Sequence, residues 1–492
     1  MSDESEQYEK FEKHYRPSAC RSTTPFWSQR QESAPGAHRP QDDPNRSKFQ
    51  HDRDKILYSR SFRRLRLKTQ VFPERREDHH RTRLDHSLEV AQIARHFARR
   101  LQLNEDLVDA IGLAHDIGHT PFGHSGERAL HKICRNLAWP RETNKPAIDG
   151  FRHNWQGLRT VDELEKAYFN TDGLCLTRAV RYGILMHSKL AWGEDRIKDP
   201  DKCRCGMKDS IDFSGEGQLE NMERYPYEIQ LCRIADDIGQ LIHNFEDAIV
   251  SGVLDLQDVK ENGLKDSDKE KISQLRFVYQ CISDLDEKLK ESAGIDLKEY
   301  DLSKDDNHSI FLDRLLSQMI YRLTEWVIKE NEDRLEDWER SELKNSDRLK
   351  EAAKDQIEAG RPMFLELKNV GEWDLYDKLD TWLTNELVHS EDVKRMDGKA
   401  EYVLRKIFEV YYHDPDQSPE GLLTRFAGMP NTNKSAAEMR KEVGYWDKVK
   451  EDSDKRHKEF VRAIVDYIAG MTDRFALREY DQMYSAHPRR PV

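Results

Sequence analysis

Long hydrophobic runs are missing from this chain: across 492 residues no stretch reaches the roughly 18 consecutive apolar residues that a membrane span requires. The opening MSDESEQYEK has no apolar region of the kind a secretory signal carries. A cytoplasmic protein without a membrane partner is therefore expected. Cysteine is scarce: seven residues, an odd number, scattered without pattern. That argues against a disulfide framework and fits a reducing compartment. Cys203 and Cys205 form the one close pair, and with no second pair nearby they read as ordinary loop residues. Internal repeats, sustained heptads and apolar–polar alternation are absent too, so the class is all-α. Net positive charge is also lacking. The balance of 80 basic and 93 acidic residues gives −13, and such a surface as a whole should not attract nucleic acid or anionic lipid.

Against that background the charge is uneven. From Arg53 to Arg100 there are fourteen Lys or Arg against six Asp or Glu, including the run RSFRRLRLKTQ. A basic segment in an acidic protein points to a local anion site such as a phosphate cleft, although each arginine taken singly reads better as part of a solvated helix face. Residues 1–50 are polar, with five scattered prolines, and read as an arm that is partly extended. Beyond them helical spacing dominates. Val90, Ile93, Ala94, Phe97 and Leu101 make a buried stripe, and His86 lies one turn before it on the same face. Asn104 is a suitable N-cap for the next helix, whose stripe of Val108 and Ile111 continues to His115, with Gly118 as its stop. A further helix carries Leu231, Ile234, Ala235, Ile238, Leu241, Ile242, Phe245 and Ile249, with Asp236 beside that face and in line with Gln240, His243 and Asp247. Residues 51–255 are expected to form a catalytic core, 256–415 a charged helical accessory region, and 416–492 a helical segment completing one large domain.

The segment AHDIGHTPFGHSGE, residues 114–127, crowds His115, Asp116, His119, His124 and Glu127 together. It is either a polar surface loop or a site where imidazole and carboxylate do chemistry. His86, the adjacent His115 and Asp116, and Asp236 each sit on or beside a buried helix face. Singly, each is ambiguous; together they supply two imidazoles and two carboxylates. That donor set suits Mn²⁺, Fe²⁺ or Zn²⁺, whereas Mg²⁺ ordinarily asks for more oxygen.

HDIGHTPFGHSGE, preceded by RTRLDHSLEV and followed by ADDI, resembles the His-Asp (HD) superfamily, and specifically its deoxyguanosine triphosphate triphosphohydrolase (dGTPase) family. The resemblance extends to SRSFRRLRLKTQVFP, FRHNWQGLR, DGLCLT, FEDAI and DYIAGMTDRFALREY, in one order along the chain. It implies an HD-domain helical core and a metal-dependent hydrolysis of deoxynucleoside triphosphates to deoxynucleoside and inorganic triphosphate. It implies that His86, His115, Asp116 and Asp236 hold a divalent ion, with Mn²⁺ or Mg²⁺ foremost and Fe²⁺, Zn²⁺ or Ni²⁺ as alternatives. His124 and Glu127 match the catalytic pair, in which a carboxylate beside an imidazole favours the proton-donating imidazolium; the bland reading is a hydrogen bond that orders the loop. His119 is a second donor candidate. Arg83, one turn from His86, is placed to bind phosphate, and Gln70, His153, Asn154, Gln240 and His243 are candidates for contacts to the nucleotide. The resemblance further implies a homo-oligomer, with a hexamer favoured, and single-stranded DNA as a candidate second partner.

Two departures bear on substrate. The family usually carries a tyrosine and an aspartate where this chain has Gln240 and Asn244, both on the sugar side, and FEHN is replaced by FRHN, which puts Arg152 in place of a carboxylate. The alternatives to a deoxynucleoside triphosphate substrate are another nucleotide or phosphate ester, or a nucleotide- or single-stranded-DNA-binding role.

Overall fold

In the computed structural model the described residues are 8, 10–24, 27–30, 42–70, 81–136, 150–169, 171–187, 226–265, 273–343, 371–429, 432, 434–442, 444–451 and 455–485. The Cys203/Cys205 pair lies outside them. Among the described residues the secondary structure is helical, with isolated bridges such as Thr69 to Thr82 but no strand. No described helix is long and apolar enough to cross a membrane.

Local chemistry starts these helices. α1 (Lys48–Tyr58) is capped by Ser47, whose hydroxyl accepts from the Gln50 amide. α2 (Arg83–Arg100) opens on a reciprocal capping box between Thr82 and Asp85. α3 (Glu105–Ala114) is capped by Asn104 through the Leu107 amide at 3.1 Å, and Glu105 and Asp106 complement the positive end of its dipole. α2 packs on α3 and on α7 (Tyr227–Val250). The stripes of all three are buried in one apolar cluster, which also takes Tyr15, Ala19, Cys20 and Trp27 from the N-terminal arm. The buried Glu228 carboxylate ties that arm down by accepting from the Cys20 amide at 3.0 Å and the Asn104 amide at 3.1 Å.

α3 stops at Ala114, earlier than its glycine suggests. His115 is its C-cap and residues 115–118 form turns. Gly118 serves a different need: a Cβ there would lie 2.0 Å from the His153 carbonyl oxygen and 2.1 Å from the Gly157 nitrogen. The close approach seats α5 (His153–Arg159) directly against the turn, with α6 (Arg178–Met186) packed beside it.

α8 (Arg276–Ala293), the long α9 (Asp305–Leu343) and α10 (Gly371–His389) extend the first cluster. A second cluster joins Phe122, Ala129, Leu130 and Ile133, in and around α4 (Gly123–Asn136), to α11 (Glu391–His413), α12 (Glu420–Ala427) and α13 (Lys455–Ala469). α14 (Asp473–Tyr484) is capped by Thr472. Its Asp473 carboxylate accepts from the Phe122 amide at 2.9 Å and the Thr69 amide at 3.0 Å, so the last helix fastens two loops that flank the histidine-rich segment.

Candidate active site

The buried ends of α2, α3 and α7 meet. His86 of α2, His115 at the end of α3 and Asp236 of α7 bring ring nitrogens and a carboxylate oxygen within 4.8 Å of one another. His86 Nε2 lies 3.0 Å from Asp236 Oδ1 and 3.9 Å from Asp116 Oδ2; His115 Nε2 lies 3.5 Å from Asp116 Oδ1 and 3.6 Å from Asp236 Oδ1. His115 Nδ1 donates to the Gly112 carbonyl at 2.7 Å, which leaves Nε2 with a lone pair, buried and without a hydrogen-bond partner. An inward lone pair fixed by a backbone carbonyl, facing two carboxylates, is the donor arrangement a divalent cation fits. Burial favours the neutral forms of Asp116 and Asp236, but interaction with His115 and the other imidazoles around them, and for Asp116 also with Arg83, outweighs it and holds both carboxyls below the usual carboxylate range.

The supports around these groups are specific. Arg83, itself buried, donates from Nη1 to Asp116 Oδ2 at 2.6 Å and reaches the Gln70 carbonyl at 3.4 Å. Gly123, at φ +55°, lets the loop pass close to it, since a Cβ would come within 3.0 Å of Arg83 Nη2. Lys68 donates to the carbonyls of His119 and Ala469. His243 packs beside His86, its ring 4.9 Å away and tilted by 70°, and its Nε2 bonds Glu89. Burial pulls its pKa down to about 4 against the opposing pull of Glu89, so the ring is neutral.

On the other side of Asp116 lies a second group. His119 Nε2 is 3.1 Å from Asp116 Oδ1, and its ring stacks on His153 at 3.9 Å. Glu127, fully buried, accepts from the His153 amide at 3.0 Å, faces His153 Nδ1 at 3.0 and 3.1 Å, and reaches His124 Nδ1 at 3.4 Å. Burial is outweighed by His153 and His124, and Glu127 is held well below the carboxylate range. His124 is the partly exposed member, its side chain 41% accessible, and so the ring that an incoming molecule meets. Its pKa falls: burial lowers it, Glu127 opposes, and Arg83 and His153 add repulsion. The expected gain in imidazolium from Glu127 is present but outweighed, so the surroundings as a whole disfavour the protonated ring.

Gln70, Gln240 and Asn244 form an amide chain, with Gln70 Nε2 donating to Gln240 Oε1 at 3.3 Å and Gln240 Nε2 to Asn244 Oδ1 at 2.9 Å. Asn154 is directed elsewhere, its Nδ2 donating to the Leu185 carbonyl at 3.0 Å. One group that reading by motif overlooks is His187, just past α6. Its Nδ1 donates to the Ile184 carbonyl at 2.7 Å, its Nε2 meets His153 Nε2 at 3.1 Å, and its ring lies 5.0 Å from that of His115. It joins the two halves of the site. Burial lowers its pKa to about 3, with His115 and His153 adding to the effect.

A helical core that carries a His–Asp pair at the end of one helix, a histidine from a second and an aspartate from a third defines an HD-domain hydrolase. The HD domain model matches residues 83–238, and a phosphohydrolase-associated domain matches 435–482, the segment that includes α13 and most of α14. The chain is 32% identical to a deoxyguanosinetriphosphate triphosphohydrolase-like protein of Bordetella pertussis, over 89% of this chain and 90% of that one. A protein of the same description, numbered 1, from Mesorhizobium japonicum is 32% identical, with 90% and 91% covered; one from Neorickettsia sennetsu is 30% identical, with 90% and 93% covered. The chain belongs to the deoxyguanosinetriphosphate triphosphohydrolase-like family.

Proposed function

We propose that this protein hydrolyses a deoxynucleoside triphosphate to the deoxynucleoside and inorganic triphosphate, by attack of water on the α-phosphorus. The observation that carries this reading is the convergence of His86, His115 and Asp236, with Asp116 3.5 Å from His115 and 3.9 Å from His86, beside the partly exposed His124 and its buried partner Glu127. In this reading the first four side chains hold a divalent cation, which supplies Lewis acidity toward a phosphoryl oxygen and acidifies water. Arg83 keeps Asp116 aimed inward and offers its remaining guanidinium edge to phosphate oxygens. His124, the more accessible ring, takes a proton from solvent at Nε2 while Glu127 steadies Nδ1 and gives it to the departing 5′-oxygen as the P–O bond breaks, and the attacking water releases its own proton to solvent. His153 and His119 line the adjoining wall, stacked and anchored through Glu127 and Asp116. His243 and His187 act one layer back, as braces for His86 and His153.

In this reading the amide chain of Gln70, Gln240 and Asn244, whose Gln240 lies one helical turn from Asp236, faces the sugar. An amide both donates and accepts, and lacks the flat ring that shuts out a 2′-hydroxyl. Weaker discrimination between deoxyribose and ribose than in relatives with tyrosine follows. Incubation with dGTP and Mn²⁺, with products read by ³¹P NMR, tests the reaction. Inorganic triphosphate is expected; orthophosphate or pyrophosphate as the main product would overturn it in favour of another phosphate ester chemistry.

A further inference from the structure

Behind the turn that carries Asp116, a cavity of about 160 Å³ lies between the short helix Arg60–Arg64, α5 and the end of α13. Its lining holds Arg60, Arg64, Lys68, Lys166 and Arg425 against Glu165 and Asp466. Both carboxylates are already committed. Asp466 takes Arg159 Nε at 2.8 Å, Arg462 Nε at 2.9 Å and Gln156 Nε2 at 3.1 Å. Glu165 caps the Ser61 amide at 2.7 Å and the Ser61 hydroxyl. Lys166 is paired with Asp172, and among the described residues Arg64 and Lys68 find backbone carbonyls as acceptors, those of Gly470, His119 and Ala469. The Arg425 side chain makes no hydrogen bond or ion pair among the described residues, and its Nη1 is buried without a partner. Burial disfavours its charge; Asp466 offsets this in part, and Arg159 and Arg64 add repulsion. A guanidinium stays protonated even so.

We propose that this cavity is an oxyanion site, taking an inorganic phosphate or short polyphosphate between Arg425, Arg64 and Arg60, with Lys68 at its floor. A buried guanidinium nitrogen without an acceptor is costly, and a tetrahedral polyanion in the cavity supplies one to Arg425 Nη1. No aromatic side chain lines the cavity, so it offers no platform for a base, and an inorganic anion is the better occupant. The Ile117–Gly118 backbone forms part of the wall, with Asp116 and His119 on either side of it in sequence. The site is thus separate from the His124 side of the turn and does not depend on the reading of the reaction.

Isothermal titration of the full-length protein with orthophosphate, tripolyphosphate and a deoxynucleoside triphosphate, at constant ionic strength in chloride, tests this. Arg425→Met keeps the apolar stem and should raise the Kd of the inorganic anions about tenfold, as expected for the loss of a charge-assisted hydrogen bond. Arg60→Met, at the exposed mouth, should weaken binding severalfold and serves if the first variant fails to fold. Turnover in anion-free buffer should be unchanged in Arg60→Met. Inorganic-anion affinity unaltered by either substitution would overturn the proposal. So would an Arg425-dependent site that binds the nucleotide more tightly than tripolyphosphate.

Discussion

Glu127 is the residue on which the candidate proton-transfer machinery turns, because a single buried carboxylate orients two imidazoles, His124 and His153. Removing one ring should leave the other in place. His124→Ala is expected to retain metal and substrate binding while kcat falls by about 10² to 10⁴, the range of a lost acid–base group. Glu127→Gln should cost at least as much, since it removes the charge that holds both rings. Steady-state kinetics with metal analysis of each variant decides it, and loss of bound metal in His124→Ala would make that ring a ligand. Gln240 sets a separate test. Gln240→Tyr should raise the kcat/KM ratio of dGTP over GTP; if the natural protein already rejects GTP by about 10⁴ and the ratio does not move, Gln240 has no part in sugar choice. His187 was legible in principle: Val180, Ile184 and His187 are spaced as one helical stripe, the pattern that singles out His115. It stands outside the motif, however, and a lone histidine on an apolar face is usually a core residue.

At the scale of elements, the turn after α3 depends on backbone touching backbone. Gly118→Ala drives a methyl into the His153 carbonyl and the Gly157 nitrogen, neither of which can move without α5. A loss of about 1–3 kcal/mol or more is expected in denaturant unfolding, together with lowered activity as His153 leaves His119. Sequence periodicity could not give this, because glycine at a helix end usually signals a left-handed cap and not a helix crossing. In α7, Asp247 is driven to a pKa of about 7 by burial and by Glu246, against the pull of Arg81. The unfolded value is about 4, so between these pH values the folded state holds the extra proton and the contribution of this group to stability declines as pH rises from about 4 to 7. Asp247→Asn copies the neutral acid. It should raise Tm at pH 8 and leave it nearly unchanged at pH 4; equal shifts at both would show that the carboxylate is not the cause.

At the scale of the molecule, the stripes of α2, α3 and α7 announced a helical core because each repeats at the helical period. The seating of the second cluster on α4 was not legible. Phe122, Leu130 and Ile133 carry no mark that pairs them with α11 and α13, hundreds of residues away, and Asp473 reads as a helix-start acid until its bonds to Thr69 and Phe122 are seen. The same holds inside the site. The sequence supplied the candidate donors in His86, His115, Asp116 and Asp236, but not the contact of Arg83 with Asp116 or of His243 with Glu89, which arise where separate helices meet. The proposed hydrolysis requires those four side chains to hold one divalent ion together. Metal content by mass spectrometry, after loading with Mn²⁺ and desalting, is the most direct check. About one ion per chain is predicted in the natural protein and in His124→Ala, and almost none in His115→Ala or Asp116→Ala. An empty natural protein, or full occupancy in Asp116→Ala, would contradict the account.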